Sequence, residues 1–193
     1  MLKKRAFTLI ELMVVVAIIG VLAAILVPQV VKSIDKSKIS RTSFELTSIR
    51  NAMTNYLSDV SSYPPSVQEL GRAWGADVGL VDRGNVVGSH LSTWGGPYLQ
   101  DWPIRTAWGG IVGCGAVGAY YIHSPPCWID RDNIACNDNW VHMNPYCAQY
   151  PPSVAIQIDQ SMDDGNPATG NMRVYGRVPV YLYYYAGEGT RSW

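Results

Sequence analysis

The sequence has few charged side chains and no excess of either sign. Of its 193 residues 16% are charged, with 15 Lys and Arg against 15 Asp and Glu. A neutral chain that is 48% hydrophobic is not a disordered charged tail, and it offers no electrostatic footprint for nucleic acid. Phenylalanine is scarce (2), whereas tyrosine (12), tryptophan (7), glycine (18) and proline (12) are plentiful. This composition favours strands and turns over a bundle of helices.

Motifs of common enzyme classes are also missing from the sequence. It contains no Gly-x-x-x-x-Gly-Lys-Ser/Thr phosphate loop, so any nucleotide hydrolysis that the protein depends on must come from another chain. It has no Gly-x-Ser-x-Gly nucleophile elbow, and His90, His123 and His142 are isolated from one another. We therefore expect a protein without catalytic residues that is not an enzyme.

The continuous hydrophobicity of the chain lies at its N-terminus. Leu12 to Pro28 contains no polar side chain, and the 25 residues from Phe7 to Val31 are enough to cross the hydrocarbon layer of about 30 Å as a helix. Lys3, Lys4 and Arg5 precede this run, so the positive-inside rule keeps the N-terminus in the cytoplasm. Everything after about Lys32 is expected to lie across the membrane.

A helical pattern continues beyond the apolar run. Residues at spacings of three and four form one apolar face, and charged residues lie opposite them. The apolar face comprises Ile39, Thr42, Leu46, Ile49, Met53 and Tyr56; the charged face comprises Lys36, Arg41, Glu45 and Arg50. We predict one helix from Phe7 to Leu57, apolar all round in its first half, amphipathic in its second and kinked at Pro28.

A cleavable secretory signal is the competing interpretation of the N-terminus, with a cut near Ala23 and Ala24. Glu11 argues against it, because an ionised acid inside an apolar run costs a few kcal/mol, roughly, and therefore suggests a partner. The length of the run and the continuing helical pattern argue against it as well.

The segment from Ala6 through Phe7, Thr8, Leu9, Ile10 and Glu11 to Leu12 resembles the processing motif of type IV prepilins and type II secretion pseudopilins. The resemblance implies a leader of residues 1–6, cut between Ala6 and Phe7 by a prepilin peptidase that also methylates the new amino group. It also implies that Phe7, Glu11 and Pro28 serve in assembly, with Glu11 pairing with the amino group of a neighbouring copy. The alternative for Glu11 is a protonated acid near the membrane surface.

The implied function is that of a structural subunit in a homo-oligomeric filament. The implied partners are the bacterial inner membrane, the prepilin peptidase, an assembly platform protein and a cytoplasmic ATPase, with no specific nucleic acid. The subunit would move from the inner membrane into a periplasmic or cell-surface filament. The sequence leaves open a surface pilus for adhesion, motility or DNA uptake, and a secretion pseudopilus that acts as a piston. The competing class is a monomeric membrane-anchored periplasmic binding or adhesion domain.

We expect three parts: the leader 1–6, a transmembrane or filament-core helix half 7–31, and a globular head 32–193 that includes the amphipathic half 32–57. The head is predicted to be α+β, with a small antiparallel sheet of three or four strands on the helix. Predicted strands are 116–123, 172–175 and 178–185, and a short helix is predicted over 153–164, starting at Ser153 and stopping at Gly165. The aromatic-rich segment from Trp94 to Trp108 is expected to cover the helix.

Cys114, Cys127, Cys136 and Cys147 all fall in the head, where an oxidising compartment favours two disulfides. Three pairings are possible, and we favour Cys127 with Cys136 nested inside Cys114 with Cys147. Zinc is disfavoured because no Cys-x-x-Cys pair is present.

The resemblance also implies calcium, because major pseudopilins bind it in a loop near the C-terminus. One oxygen-rich cluster contains Asp159, Asp163, Asp164 and Asn166, and the other contains Asp130, Asp132, Asn133 and Asp138. Neither has EF-hand spacing, and helix capping or loop solvation is the alternative for both. No other cofactor is expected.

Overall fold

The computed structural model describes residues 7–66, 70, 76–103, 105–109, 120–123, 129, 131–132, 134, 137–143, 150–176 and 181–189, without the side chains of Tyr121 and His123. Ala6 and the four cysteines lie outside these ranges, as do Asp130 and Asn133. The chain divides into two compact units, Met1–Lys38 and Ile39–Trp193.

Helix α1 (Leu9–Val60) confirms the predicted long N-terminal helix and contains Pro28 in its interior. It ends three residues later than predicted. Ser61 adopts a positive φ of 59° and donates its backbone N–H to the carbonyl of Leu57 at 2.8 Å, which satisfies an end carbonyl. Tyr63, Pro64 and Pro65, which have no assigned secondary structure, follow the end of the helix.

In the first unit the described part of α1 is exposed on every side. Phe7 and each large apolar residue from Leu9 to Ile34 leave about half or more of their surface uncovered. By length and composition, this helix could cross a membrane. The described residues therefore leave this apolar surface uncovered.

In the second unit, α1 supplies one side of the hydrophobic core. All six residues of the predicted apolar face are buried, and Ala52 joins them. The three-and-four spacing of the sequence therefore identifies the packed face correctly.

Among the described residues, a four-stranded antiparallel sheet forms the other side of that core. Its strands are β1 (Tyr120–His123), β2 (Asp138–Met143), β3 (Met172–Tyr175) and β4 (Tyr181–Glu188), in the spatial order β1-β2-β4-β3. In the register His142 lies opposite Tyr183, and Met172 lies opposite Tyr184. The expected α+β layout with a small antiparallel sheet is present.

The sheet is covered on two faces. Tyr120, Val141, Met143, Leu182 and Tyr184 belong to the core cluster shared with α1. On the other face, Trp140, Tyr183 and Tyr185 form a second buried cluster with Ile129. Strand β2 is buried at all six positions, because neighbouring strands flank it and both of its faces are covered.

The strand predictions match the structure to different degrees. β3 coincides with its predicted range. Of the predicted strand 116–123 the structure describes residues 120–123, and all of these belong to β1. β4 begins at Tyr181 and continues to Glu188, three residues beyond the predicted end, while residues 178–180 lie outside the described chain. The sequence patterns do not predict β2 (Asp138–Met143).

The predicted short helix is present as α2 (Pro152–Met162). Its N-cap is Pro151, with φ −62° and ψ 150°, and no side chain caps it, so the prediction that Ser153 starts the helix is wrong. Pro152 occupies the first helical position. Proline suits this position because backbone N–H groups in the first turn have no intrahelical acceptor, so its lack of an N–H costs no hydrogen bond. The helix stops at Met162, and Gly165 follows with a φ of 76°.

The aromatic segment covers the core as predicted. Trp94, Tyr98, Trp102 and Trp108 all pack against the cluster that contains the buried face of α1. The Trp108 indole donates to Thr42 Oγ1 at 3.1 Å, so the segment is hydrogen-bonded to the helix as well as packed on it.

Candidate functional sites at the start of helix α1 and in an acidic loop

Helix α1 begins with a capping box built by Thr8 and Glu11. The Thr8 backbone N–H donates to Glu11 Oε2 at 2.9 Å and the Thr8 hydroxyl donates to the same oxygen at 2.7 Å. In return, the Glu11 backbone N–H donates to Thr8 Oγ1 at 3.3 Å. This reciprocal pattern satisfies backbone donors that the first helical turn would otherwise leave unpaired. Thr8 was not singled out from the sequence, although Thr-x-x-Glu before an apolar run is the recognised signature.

The carboxylate of Glu11 keeps capacity for another donor. Both hydrogen bonds from Thr8 reach Oε2, so within the described part of the chain Oε1 stays available as an acceptor. Glu11 also lines a shallow surface groove with Phe7, Ile10, Val14 and Val15. The structure therefore brings the predicted assembly residues Phe7 and Glu11 to one end of the helix, with an anionic group in apolar surroundings.

Pro28 lies within α1, well away from that end of the helix. It has no backbone N–H, so the carbonyl four residues earlier receives no helical hydrogen bond from it. Ala6, on the other side of the predicted cleavage point, lies outside the described residues.

A second candidate site lies between α2 and β3. One carboxylate oxygen from each of Asp159, Asp163 and Asp164 falls within 4.8 Å of the others. The spacing along the chain explains this, because Asp159 is in the last turn of α2 while Asp163 and Asp164 lie just beyond its end. These are the three residues that the sequence offered as calcium candidates.

Asp159 is the buried member of this acidic cluster. Its side chain has no exposed surface, and neither carboxylate oxygen makes a hydrogen bond of ordinary geometry. Burial raises the pKa of Asp159 to about 6, and the charges of Asp164 and Asp163 add to the rise. The Gly165 backbone N–H and the Arg173 guanidinium oppose it. A buried carboxyl group without a strong partner is costly when ionised.

Asp163 and Asp164 are held by the loop that connects α2 to β3. Asp163 Oδ2 accepts the backbone N–H groups of Asn171, at very short range, and of Met172 at 3.0 Å. A side chain at Gly170, whose φ is 73°, would collide with the Asp163 carboxylate. Glycine at this position therefore permits the close approach.

The Asp164 side chain is held by two other residues of the same loop, Asn166 and Thr169. Its Oδ1 accepts the Asn166 backbone N–H at 2.8 Å and its Oδ2 accepts the Thr169 hydroxyl at 2.6 Å. These two hydrogen bonds lower the pKa of Asp164, so this carboxyl group is anionic at neutral pH. The loop thus holds two of the three carboxylates in place beside Asp159.

Among the residues that the structure describes, the other candidates from the sequence are not assembled into a site. In the second oxygen-rich cluster, Asp138 caps the backbone N–H of Arg131 at 2.6 Å. His90 Nδ1 is hydrogen-bonded to the Tyr56 hydroxyl at 2.8 Å, and the His142 ring stacks on Tyr183 at 4.2 Å between centroids. Both histidines are buried parts of the packing.

Comparisons with known proteins match the N-terminal part of the chain. The family model described as "Prokaryotic N-terminal methylation motif" matches residues 1–27. The "Type IV major pilin protein PilA" of Myxococcus xanthus is 39% identical over 90 residues, which cover 47% of this chain and 38% of that protein. The "Type II secretion system core protein G" of Pseudomonas aeruginosa is 41% identical over 68 residues, covering 35% of this chain and 48% of that protein.

A third relative is the "Type IV major fimbrial protein FimA" of Dichelobacter nodosus, 50% identical over 56 residues, or 29% of this chain and 36% of that protein. The chain spans less than half the length of each of these three relatives. No solved structure matches the chain. The matched motif, the relatives and the long apolar helix agree that the N-terminal segment of this chain is similar to that of type IV pilins and type II secretion pseudopilins.

Proposed function

We propose that this protein is the structural subunit of a type IV pilus-like filament, assembled through the apolar half of helix α1. The observation that carries the proposal is the helix itself. From Phe7 to Ile34 its large apolar side chains are exposed on all sides, and no described residue covers them. Such a surface is stable only in lipid or against other apolar helices, and both environments suit the same side chains.

Processing precedes assembly in this proposal. A prepilin peptidase removes residues 1–6 by cutting between Ala6 and Phe7, and the amino group of Phe7 is methylated. The cut creates a positive charge one residue before Thr8, whose backbone and hydroxyl already contact the Glu11 carboxylate. An anionic oxygen and an ammonium group then lie at the same end of one apolar helix.

Glu11 aligns neighbouring copies in the filament. A charge in apolar surroundings is costly unless it is paired, so the ammonium group of one copy and the Glu11 carboxylate of the next stabilise each other only in the correct axial register. Oε1 of Glu11 accepts the incoming ammonium while Oε2 keeps its hydrogen bonds to Thr8. The pair thereby selects one alignment out of the many that featureless apolar helices would allow.

The subunit is held in the bacterial inner membrane before assembly and lies in a periplasmic or cell-surface filament afterwards. An assembly platform protein and a cytoplasmic ATPase supply the work of extraction from lipid, because the chain has no phosphate-binding loop of its own. The proposal covers a surface pilus and a secretion pseudopilus, since pilins and a secretion core protein occur among the relatives.

Two substitutions at one position test this proposal. We expect Glu11→Ala to leave membrane insertion intact, because it removes the costly acid from the apolar segment, and to abolish incorporation into sheared filaments. Glu11→Gln is the matched control for side-chain size. It should also fail to assemble, because it keeps the hydrogen-bonding shape but lacks the charge. Mass spectrometry of the mature chain should find methylated Phe7 at its N-terminus. Normal filaments from Glu11→Ala would refute the pairing.

We propose two disulfides among Cys114, Cys127, Cys136 and Cys147, with the nested pairing favoured. Peptide mapping of the unreduced protein would identify the two linked pairs. Free thiols at all four positions would contradict the proposal.

We propose in addition that the acidic cluster of Asp159, Asp163 and Asp164 binds calcium. Three carboxylates offer up to six oxygen ligands, and calcium takes six to eight. Arg173 is the cation that lowers the pKa of Asp159 and Asp164. It balances one of the three negative charges, and a divalent ion balances the other two.

Calcium binding would be measured as a change in the unfolding temperature of the full chain in detergent. We expect a rise on adding calcium and its reversal by a chelator, because a ligand bound only to the folded state stabilises it. Asp159→Asn should remove most of the response, whereas Asp132→Asn, an acidic residue outside the cluster, should keep it. Equal calcium responses in the parent and in Asp159→Asn would refute the site.

A further inference from the structure

Every lysine of this chain lies near one end of the apolar run. The lysines are Lys3, Lys4, Lys32, Lys36 and Lys38. Residues 39–193 contain no lysine, and their side chains that are cationic at neutral pH are all arginine. Lysine charge is therefore confined to the two ends of the segment that could cross a membrane.

The lysines after the apolar run lie on the side of the membrane where cations are not expected. The positive-inside rule places an excess of Lys and Arg on the cytoplasmic side, where the N-terminus lies. Lys32, Lys36 and Lys38 nevertheless follow the run directly, with Asp35 as the acid among them. The orientation of the helix in the membrane thus does not account for these lysines.

Lys32 and Lys36 are neighbours on the surface of helix α1. They lie four residues apart, at the spacing that brings side chains of a helix together, and both are exposed. Two like charges at this spacing repel each other, and no ion pair among the described residues includes either of them. An anion that reaches both ammonium groups removes this repulsion.

Apolar residues lie beside this lysine pair on the same turn of the helix. Val31 and Ile34 leave 52% and 49% of their surface uncovered. A small hydrophilic anion would pair with the lysines but leave these side chains in water, whereas hydrocarbon alone would strand the charges. A phospholipid supplies an acyl chain and a phosphate together, and a lysine side chain can follow the first and reach the second.

The position of the lysine pair along the helix matches a headgroup layer. With Leu9 at one boundary of the hydrocarbon layer, Lys32 lies about 35 Å and Lys36 about 40 Å further along the helix axis. The hydrocarbon layer is about 30 Å thick, and the headgroup regions bring the whole bilayer to about 40–45 Å. Lys32 therefore lies in the opposite headgroup region, and Lys36 lies at its outer edge.

We propose that Lys32 and Lys36 bind the phosphate of an anionic phospholipid in the leaflet where helix α1 leaves the membrane. The inference rests on the part of the proposed function that places the apolar half of α1 in a membrane, and it does not depend on filament assembly. Asp35 balances one of the positive charges, so the segment with Lys38 keeps a net positive charge. It attracts an anionic lipid more than a zwitterionic one, whose headgroup carries its own cation.

The first test measures which lipids stay bound to the full chain. The protein would be purified from nanodiscs that contain equal amounts of phosphatidylglycerol and phosphatidylcholine, and the retained lipids would be quantified by native mass spectrometry. We expect phosphatidylglycerol to be enriched by about fivefold or more, because each lysine near an anionic headgroup adds attraction. The double variant Lys32→Gln/Lys36→Gln should lower this enrichment by about threefold or more. The leader cations are present in both proteins, so the difference reports the lysine pair.

Two double variants are the controls for this test. Lys32→Arg/Lys36→Arg keeps both charges and should keep the enrichment. Arg83→Gln/Arg105→Gln removes the same charge from two exposed residues of the second unit and should also keep it. The unfolding temperature of Lys32→Gln/Lys36→Gln should stay within about 2 °C of the parent, because both side chains are exposed. Equal enrichment in the parent and in Lys32→Gln/Lys36→Gln would overturn the inference.

A competition arm distinguishes a lipid headgroup from soluble phosphate. An excess of inorganic phosphate should displace no more phosphatidylglycerol than sodium chloride does at the same ionic strength, because both salts screen the lysines equally. Displacement by phosphate alone would assign the lysine pair to a soluble anion and overturn the inference.

The second test identifies the molecule beside the lysine pair. The exposed Ser33 would be replaced by the photoreactive p-benzoylphenylalanine, and the full chain would be irradiated in the same mixed nanodiscs. We expect adducts with phosphatidylglycerol to exceed those with phosphatidylcholine, and this excess to disappear in Lys32→Gln/Lys36→Gln. Equal adducts with the two lipids, or a crosslink to an acidic peptide of another protein molecule, would contradict the inference.

The outcomes separate this inference from the proposed function. If carbonate extraction leaves the parent in membranes but phosphatidylglycerol is not enriched, only the lipid contact is wrong. If carbonate releases the parent, the apolar half of α1 is not a membrane segment, and both proposals fail. If phosphatidylglycerol is enriched but no filaments form in an assembly system that polymerises its own subunits, the lipid contact stands and filament assembly is refuted.

Discussion

Asp159 is a buried ionisable residue, and the fold favours its neutral carboxyl group over the charged carboxylate. Its side chain is fully buried beside two other carboxylates, and its pKa is raised to about 6. In an unfolded chain the pKa of an aspartate is about 3.9, so in the absence of bound metal the folded state holds the proton more tightly. The carboxylate therefore opposes folding at neutral pH, and this cost falls as the pH drops through about 6.

We predict that Asp159→Asn raises the unfolding temperature at pH 7.5 in the presence of a chelator. The amide is neutral, and its N–H groups can donate to the Asp163 and Asp164 carboxylates. The advantage over the parent should shrink as the pH falls through 6 and be lost below about 4, where the parent carboxyl group is protonated in both states. Thermal melts across this pH range measure it. Asp132→Asn is the control, and a pH-independent difference at residue 159 would show that ionisation is not the cause.

Single residues also mark the limits of what the sequence predicts. The spacing of Asp159, Asp163 and Asp164 around a helix end allowed their proximity to be anticipated. The burial of Asp159 could not be, because it depends on packing between α2 and the strands that follow. Thr8 and Glu11 have the spacing of a capping box, so the capping role of Thr8 is predictable from the sequence, whereas the resemblance to a processing motif implies roles for Phe7 and Glu11 and none for Thr8.

At the scale of elements, periodicity located the helices better than the strands. The apolar face of α1 from Ile39 to Tyr56 followed from spacing alone, because one side of that helix faces solvent. Strand β2 is not predictable from alternation, because it is buried at every position and so shows no apolar–polar pattern. It also begins with Asp138 and Asn139, residue types that are depleted in strands. β4 continues through Gly187 and Glu188, which do not have strand-like side chains and are placed in the ladder by pairing with β2.

Polar contacts that composition does not reveal join the region from His90 to Tyr98 to the end of α1. Tyr56, which is fully buried, is hydrogen-bonded to His90 Nδ1 at 2.8 Å, and its ring meets the Tyr98 ring edge-on at 5.6 Å. The Tyr98 hydroxyl in turn donates to Asp59 at 2.8 Å. Helix and segment thus share a hydrogen-bonded connection inside the second unit.

We predict that Tyr56→Phe lowers the free energy of unfolding by about 1–2 kcal/mol, because it leaves the buried His90 ring without this partner while preserving the packing. Chemical denaturation of the unassembled subunit measures the change. Phe44→Ser on the same helix is the control and should cost far less, since its ring is exposed. An unchanged stability in Tyr56→Phe would mean that the hydrogen bond contributes nothing net to folding.

At the scale of the whole molecule, the two compact units differ in what they bury. Among the described residues, the buried side chains begin at Ile39, and every position from Phe7 to Ile34 is exposed. The core of the second unit combines α1 from Ile39 onward with the sheet, α2 and the aromatic segment. The apolar segment before it therefore contributes surface for lipid or for other copies, and no part of this core.

This division leads to a prediction for a chain shortened to begin at Ser33. We expect a water-soluble monomer that unfolds cooperatively, because all of the described core residues remain, and that forms no filaments, because the apolar segment and Glu11 are gone. Size-exclusion chromatography and circular dichroism melts measure solubility and cooperativity. The mature chain beginning at Phe7 is the control and should require detergent. Aggregation of the shortened chain, or a gradual melt, would mean that the apolar half of α1 also supports the folding of the head.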